Sequence, residues 1–202
     1  MGLYGKFLLP RLIDLSMKDR ATTRCRAEIV PKATGRVLEV GIGSGLNFRY
    51  YGPSVSRVWG VDPSRELLAM ARRKLSALPY PVELLCESAE RIPLDDAAAD
   101  TVVLTWALCT IPDPSRALKE LKRVLKPGGS MLFAEHGLAP DPGVQAWQER
   151  INPLWKRVAG GCNMNRKIDA LISQAGFDIV ELRTSYLSGP RILGYTYEGV
   201  AL

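Results

Sequence analysis

The residues best placed to do chemistry begin with a glycine run closing an apolar stretch, Val37-Leu38-Glu39-Val40-Gly41-Ile42-Gly43-Ser44-Gly45. A buried strand that runs into Gly41, Gly43 and Gly45 and then into a helix makes a tight turn, and a ligand can approach its backbone closely. The next acid at a strand end is Asp62, followed by Pro63. From that position a carboxylate can accept both hydroxyls of a bound ribose. A dinucleotide fingerprint, G-x-G-x-x-G, would need glycine at position 46, where this chain has Leu46. The acid inside the strand, Glu39, suits a ligand with a cationic amino group and no pyrophosphate. A purely structural glycine turn beside a solvated acid is the plainer alternative.

His136, the only histidine, is the candidate base or orienting group, because imidazole changes charge near neutral pH. Cys109 and Cys162 could touch a substrate, but are read here as small buried hydrophobes. The four cysteines include no CxxC pair, so no metal site is expected and a reduced, cytoplasmic protein is the default. Trp106, Trp147 and Trp155 could wall an apolar pocket or simply pack in the core.

Alternating strands and helices must hold these residues in place. Strands are expected at 36–40, 57–61, 82–86, 101–106 and 130–135. Helices are expected after Ser64, an N-cap residue, and over 114–125, with Pro at its start and Lys122, Arg123 and Lys126 near its end. Residues 137–165 break the alternation and read as an inserted lid. A further helix is expected over 165–175, then two late strands, 178–187 and 191–200, joined by Ser188-Gly189-Pro190. Five β-α alternations ending in a hairpin predict an α/β fold, a doubly wound Rossmann-like seven-stranded sheet with an antiparallel edge strand. The 202 residues suit one domain, 1–202, with a helical cap over 1–33 and the lid over 137–165.

The formal net charge is +6. Most of the excess lies in the first 36 residues, which hold Lys6, Arg11, Lys18, Arg20, Arg24, Arg26, Lys32 and Arg36 against Asp14, Asp19 and Glu28. With Leu3, Phe7, Leu8, Leu9, Leu12 and Ile13 among them, residues 1–15 could make weak peripheral contact with an anionic membrane. The preferred reading is an amphipathic helix packed on the domain. No apolar run reaches the roughly 20 residues of a membrane span, and no secretory signal is read.

The glycine loop resembles motif I of the class I S-adenosylmethionine (SAM) methyltransferases. Val61-Asp62-Pro63 resembles their ribose-binding motif, and Ser88-Ala89-Glu90-Arg91-Ile92-Pro93-Leu94 their adenine loop, with Ser88 where Asp is usual. Leu121 to Gly129 resembles the passage from helix to fifth strand. Gly45-Leu46-Asn47-Phe48-Arg49-Tyr50-Tyr51, Glu135-His136, Trp147-Gln148, Pro153-Leu154-Trp155, Gly160-Gly161-Cys162-Asn163 and Gly194-Tyr195 are similar to a narrower methyltransferase-like group that includes alkyl thiol methyltransferases. The resemblance implies SAM as cofactor, held by Glu39, Gly41, Gly43, Gly45, Asn47, Asp62, Pro63, Ser88, Ala89, Glu90, Thr105 and Trp106, with His136 catalytic.

The implied reaction is methyl transfer to a small acceptor, a thiol first. An amine or phospholipid head group is the alternative, and a non-catalytic SAM-binding module the rival of another class. No nucleic-acid partner is expected. The fourth strand lacks a D/N-P-P-Y/F/W motif, there is no Pro-Cys nucleophile, and no aromatic stacking motif accompanies the basic leader. Asp113 alone makes no carboxylate cluster for catechol-type chemistry.

Overall fold

The computed structural model describes residues 8–202. The basic and apolar residues expected in a leader at 1–7 lie outside the described residues. Seven strands form one sheet in the order β3-β2-β1-β4-β5-β7-β6. Their spans are β1 Gly35–Val40, β2 Val55–Val61, β3 Val82–Leu85, β4 Ala99–Thr105, β5 Leu125–His136, β6 Ile179–Tyr186 and β7 Tyr195–Ala201. Pairings from β3 across to β5 are parallel, while β7 runs antiparallel to both β5 and β6. The antiparallel strand is therefore β7, one place in from the edge strand β6.

The helices are α1 Leu9–Ser16, α2 Arg20–Ile29, α3 Arg65–Arg72, α4 Pro114–Val124, α5 Pro142–Val158, α6 Ile168–Gln174 and α7 Arg191–Gly194. The central strands are apolar on both sides because helices cover both faces. On one face Leu38, Val102, Leu104 and Phe133 pack with Leu118 and Leu121 of α4 and Ile168 and Ile172 of α6. On the other, Val37, Val58, Val103 and Leu132 pack with Cys25 and Ile29 of α2 and Leu68 and Ala71 of α3. Caps are local. The Ser64 side chain accepts from the Leu67 N–H, and the Asp113 side chain from the Arg116 N–H.

The expected five-fold alternation is corrected in three places. After β1 the chain makes only one turn of 3₁₀ helix, Phe48–Tyr50, because Gly52-Pro53 follows at once and cannot continue a helix. Between β3 and β4 there is no helix. Residues 191–194 form a helical turn, so β7 begins at Tyr195 rather than at Arg191. The fifth strand is longer than expected. It starts at Leu125 and crosses Pro127-Gly128-Gly129 through a register irregularity against β4.

Candidate active site

β1 lies between β2 and β4, the two strands reached by crossovers to opposite sides. A crevice opens at the carboxyl ends of strands at such a switch point. Here it is a cleft of about 1310 Å³.

Its floor is the glycine loop. Gly41 and Gly43 have φ of +69° and +55°. A Cβ on Gly41 would sit 2.5 Å from the Ala107 Cβ, so only glycine lets the two strand ends close up. Gly45 does not line the cleft. Its φ is +72° and a Cβ there would strike the Phe48 ring at 2.2 Å, so it shapes the turn.

Asp62 leaves the end of β2 buried. Its Oδ2 accepts from the Gly43 N–H at 3.0 Å and its Oδ1 from the Ser64 N–H at 2.8 Å. Burial raises its pKa, opposed by those two bonds.

Glu39 is fully buried in β1 and lines the cleft. Both its oxygens already have donors. Asn47 Nδ2 gives to Oε1 at 2.9 Å and the Tyr51 hydroxyl to Oε2 at 2.7 Å. Burial pushes its pKa up to about 7, against those hydrogen bonds and the nearby Arg26 charge. Asn47 Nδ2 also donates to Thr105 Oγ1 at 3.0 Å, while its buried Oδ1 has no partner.

Pro63, Ser88, Ala89, Thr105 and Trp106 all line the cleft. Glu90 does not. Its carboxylate accepts from the Asp113 N–H at 2.8 Å and its carbonyl from Arg116, so it anchors the approach to α4. Trp106 has φ +54°, the left-handed region, uncommon for a bulky residue and costing about 1–3 kcal/mol. Its N–H is held by the Ala134 carbonyl at 2.8 Å. Trp147 is 56% exposed and not in the cleft, whereas Trp155 is.

The sequence reading missed Arg26. It is buried on α2, lines the cleft and stacks over Trp106 with 4.7 Å from its guanidinium carbon to the ring centroid. One nitrogen donates to the Met17 carbonyl at 2.8 Å, and the buried Nε has no partner. A basic residue in a basic segment carries no sequence mark that would single it out.

The far end of the cleft corrects the separate, hydrophobic reading of the cysteines. Glu135 accepts from the N–H groups of Ala107 at 2.8 Å, Leu108 at 3.0 Å and Cys109 at 3.2 Å, and so shapes the turn after β4. Burial pushes its pKa up to about 7 despite those bonds. Asn163 ties the Gly160-Gly161-Cys162 turn to the same place. Its N–H and Nδ2 reach the Cys109 carbonyl at 2.8 and 3.1 Å. Cys162 Sγ thereby comes within 3.5 Å of His136 Nδ1. A hydrogen bond from Cys109, and then His136, favour the Cys162 thiolate and lower its pKa. The same pairing, with burial, holds Cys109 protonated. His136 Nε2 is buried without a partner.

The cleft therefore has the hydrogen-bonding groups that SAM needs: backbone at a glycine turn, an accepting carboxylate at the end of β2, and an unpartnered buried acceptor on Asn47 and donor on Arg26 that a zwitterionic ligand would satisfy. A family model described as a methyltransferase domain matches residues 38–133. The chain is 36% identical over 151 residues to thiol S-methyltransferase TMT1B of Rattus norvegicus, covering 72% of this chain and 61% of that protein. It is 32% identical to the Homo sapiens TMT1B over 80% of this chain and 71% of the relative. A phosphatidylethanolamine N-methyltransferase of Cereibacter sphaeroides is 39% identical over 62% of each chain. The structure of N-methyltransferase NodS from Bradyrhizobium japonicum, in complex with S-adenosyl-L-homocysteine, superposes with a TM-score of 0.70 at 13% identity, covering 92% of this chain and 89% of that one.

The chain belongs to the class I SAM-dependent methyltransferases. It is an enzyme of methyl transfer, and SAM is its methyl donor.

Proposed function

We propose that the protein methylates the sulfur of a small, partly apolar thiol. The carrying observation is the far end of the cleft, built from Cys109, Thr110, His136, Trp155, Cys162 and Thr196, with no carboxylate among these lining residues. An amine arrives as a cation and needs a base, most simply a carboxylate, to take its proton. A thiol needs a weaker base and a soft, polarisable setting. The TMT1B relatives support the same reading.

SAM supplies a sulfonium-bound methyl group. The chain's own residues bind, orient and exclude water. Asp62 would accept the ribose hydroxyls, and Glu39 and Asn47 would receive the amino group. Arg26 would pair with the carboxylate. Pro63, Ser88 and Ala89 would flank the adenine, with the Ala89 N–H as a donor to it. Thr105 and Trp106 would close the loop side. His136 would hold the acceptor or take its proton. α1, α2 and residues 137–165 serve as cap and lid over the cleft. Gln148 fixes the lid, donating to the Gly137 and Ile192 carbonyls at 3.1 Å each.

The second reading, N-methylation of a phospholipid head group, draws on the exposed Leu12 and Leu15, which also line the cleft. Both readings are tested with purified protein, SAM and a panel of alkyl thiols, sulfide, amines and phosphatidylethanolamine. Formation of S-adenosylhomocysteine with alkyl thiols supports the first reading. Turnover confined to amines or phosphatidylethanolamine replaces it with the second. SAM bound with no turnover on any alkyl thiol overturns the thiol reading.

A further inference from the structure

Cys109, His136 and Cys162 come from three separate elements, and their ligating atoms all lie within 4.8 Å of one another. Each element is braced without a metal. Glu135 holds the turn that carries Cys109, β-pairing with Thr196 holds His136, and Asn163 holds the turn that carries Cys162. A tetrahedral zinc ion bonds sulfur at about 2.3 Å and imidazole nitrogen at about 2.0–2.1 Å, which sets a sulfur and a nitrogen on one metal about 3.6 Å apart. Cys162 Sγ and His136 Nδ1 are 3.5 Å apart. That hydrogen-bonded pair already has the separation of two ligands on one ion.

We propose that Cys109, His136 and Cys162 form a three-donor site for a soft divalent cation, zinc foremost, whose fourth position faces the cleft and takes the acceptor sulfur. Two thiolates and an imidazole select zinc over magnesium or calcium, which require oxygen ligands. The carboxylate nearest in sequence, Glu135, is committed to three backbone N–H groups and supplies none. Three protein donors with an open fourth position are the pattern of zinc sites that do chemistry, whereas structural sites are closed by a fourth protein ligand. All three residues line the same cleft as Gly41, Gly43 and Asp62, so a ligand at the open position shares its space with the methyl donor. The spacing along the chain hides the site, because no two of the donors are close in sequence.

The identity of the fourth ligand rests on the thiol reading above, and the three-donor site does not. As an incoming R–SH binds, it displaces a water and releases its proton to solvent. In methyl transfer a lone pair of that sulfur forms the new S–CH₃ bond. The S–CH₃ bond of the donor breaks, and its electron pair stays on the donor sulfur. The product thioether is uncharged, binds the metal weakly and exchanges for water. In this arrangement His136 acts as a ligand, and the cation takes over the task of making the acceptor a thiolate.

The test uses the full chain, reduced and stripped with a chelator, then titrated with Zn²⁺ against a chromophoric competitor and separately with Co²⁺. The expected result is one equivalent per chain, with the visible bands of tetrahedral cobalt and sulfur-to-cobalt charge transfer. Uptake should fall at least tenfold in Cys109→Ser/Cys162→Ser, with SAM affinity by calorimetry as the check on folding. Should that variant not fold, Cys162→Ser alone should weaken the charge-transfer band. Addition of an alkanethiol to the cobalt protein should shift that band. No uptake by the fully reduced chain, or equal uptake by the cysteine variants, overturns the site. If stripped protein without uptake still methylates alkyl thiols at the original rate, the site fails while the thiol reading stands. If metal is bound but no thiol is methylated and the band does not move, the site stands and the thiol reading fails.

Discussion

The Asp62 carboxylate accepts the Gly43 N–H at 3.0 Å and so ties the end of β2 to the glycine turn that leaves β1. One side chain thus shapes the loop and presents the remaining lone pairs of its carboxylate to the cleft. Asp62→Ala removes both functions. Charge-assisted hydrogen bonds contribute about 1.5–3 kcal/mol each, so losing even one of the two ribose bonds should lower SAM affinity by roughly ten- to a hundredfold, and losing both by more. Calorimetry checks this, with the melting temperature reporting any loosening of the loop. Unchanged affinity would remove Asp62 from the ribose site.

Two buried acids make stability depend on pH. Glu39 and Glu135 are each pushed up to about 7 by burial, from an ordinary value of 4.5. Between these values the folded chain keeps protons that the unfolded chain releases. Their contribution to stability is fully present below pH 4.5, falls as pH rises, and is lost once pH passes about 7. Glu39→Gln cannot ionise, so its urea midpoint should change less steeply over that window than the wild type's. Parallel pH profiles for the two proteins would show that Glu39 does not titrate there.

His136 lines the cleft beside Cys162. His136→Ala should lower turnover with alkyl thiols by about a hundredfold, within the usual range for removing one acid–base or orienting group, and leave SAM affinity nearly unchanged. Single-turnover rates separate the two effects. A fully active variant would reduce His136 to a packing residue.

How much of this was legible in the chain differs from part to part. The glycine loop could be read because its positive φ at Gly41, Gly43 and Gly45 is a local constraint that favours glycine, while the close approach of Ala107 to Gly41 is visible only in the fold. The Ser64 cap and the α4 boundaries were local in the same way. The missing helix after β1 was foretold by Gly52-Pro53 but was masked by the expectation of strict alternation. Glu90 sits beside Ser88 and Ala89 in sequence, yet a short turn sends its side chain to Asp113 instead of the cleft. The meeting of Cys109 and Cys162 depends on Glu135 and Asn163 acting across elements, and no spacing along the chain encodes that.

Arg26 illustrates the same limit and yields its own prediction. Its buried Nε lacks a partner, and its guanidinium is fixed over Trp106. A carboxylate placed there would form a charge-assisted bond. Arg26→Met should weaken SAM binding by about ten- to a hundredfold, while binding of a decarboxylated donor should be nearly unaffected. Equal losses for the two donors would mean that Arg26 only supports Trp106.

α1 walls the cleft and also leaves apolar side chains exposed. Leu9 and Ile13 point into the cleft, where they meet Gly160, and Asp14 is buried and accepts from Ser44 and Lys18. Leu12 and Leu15 are 46% and 68% exposed, and Leu154 on α5 is 64% exposed. No described helix is long and apolar enough to cross a membrane, but an amphipathic helix with basic neighbours such as Arg11 and Lys18 can lie in a membrane interface. Deleting the whole segment would remove a wall of the cleft; Leu12 and Leu15 also border it, so point changes at these two exposed leucines are the milder test, with SAM affinity by calorimetry as the check that the cleft is intact. Leu12→Ser/Leu15→Ser removes two side chains that would each gain about 1 kcal/mol on partial burial. Flotation with anionic phospholipid vesicles should therefore fall by at least tenfold, and added salt should weaken it further. Equal flotation of the variant and the wild type would leave α1 as a cleft wall alone.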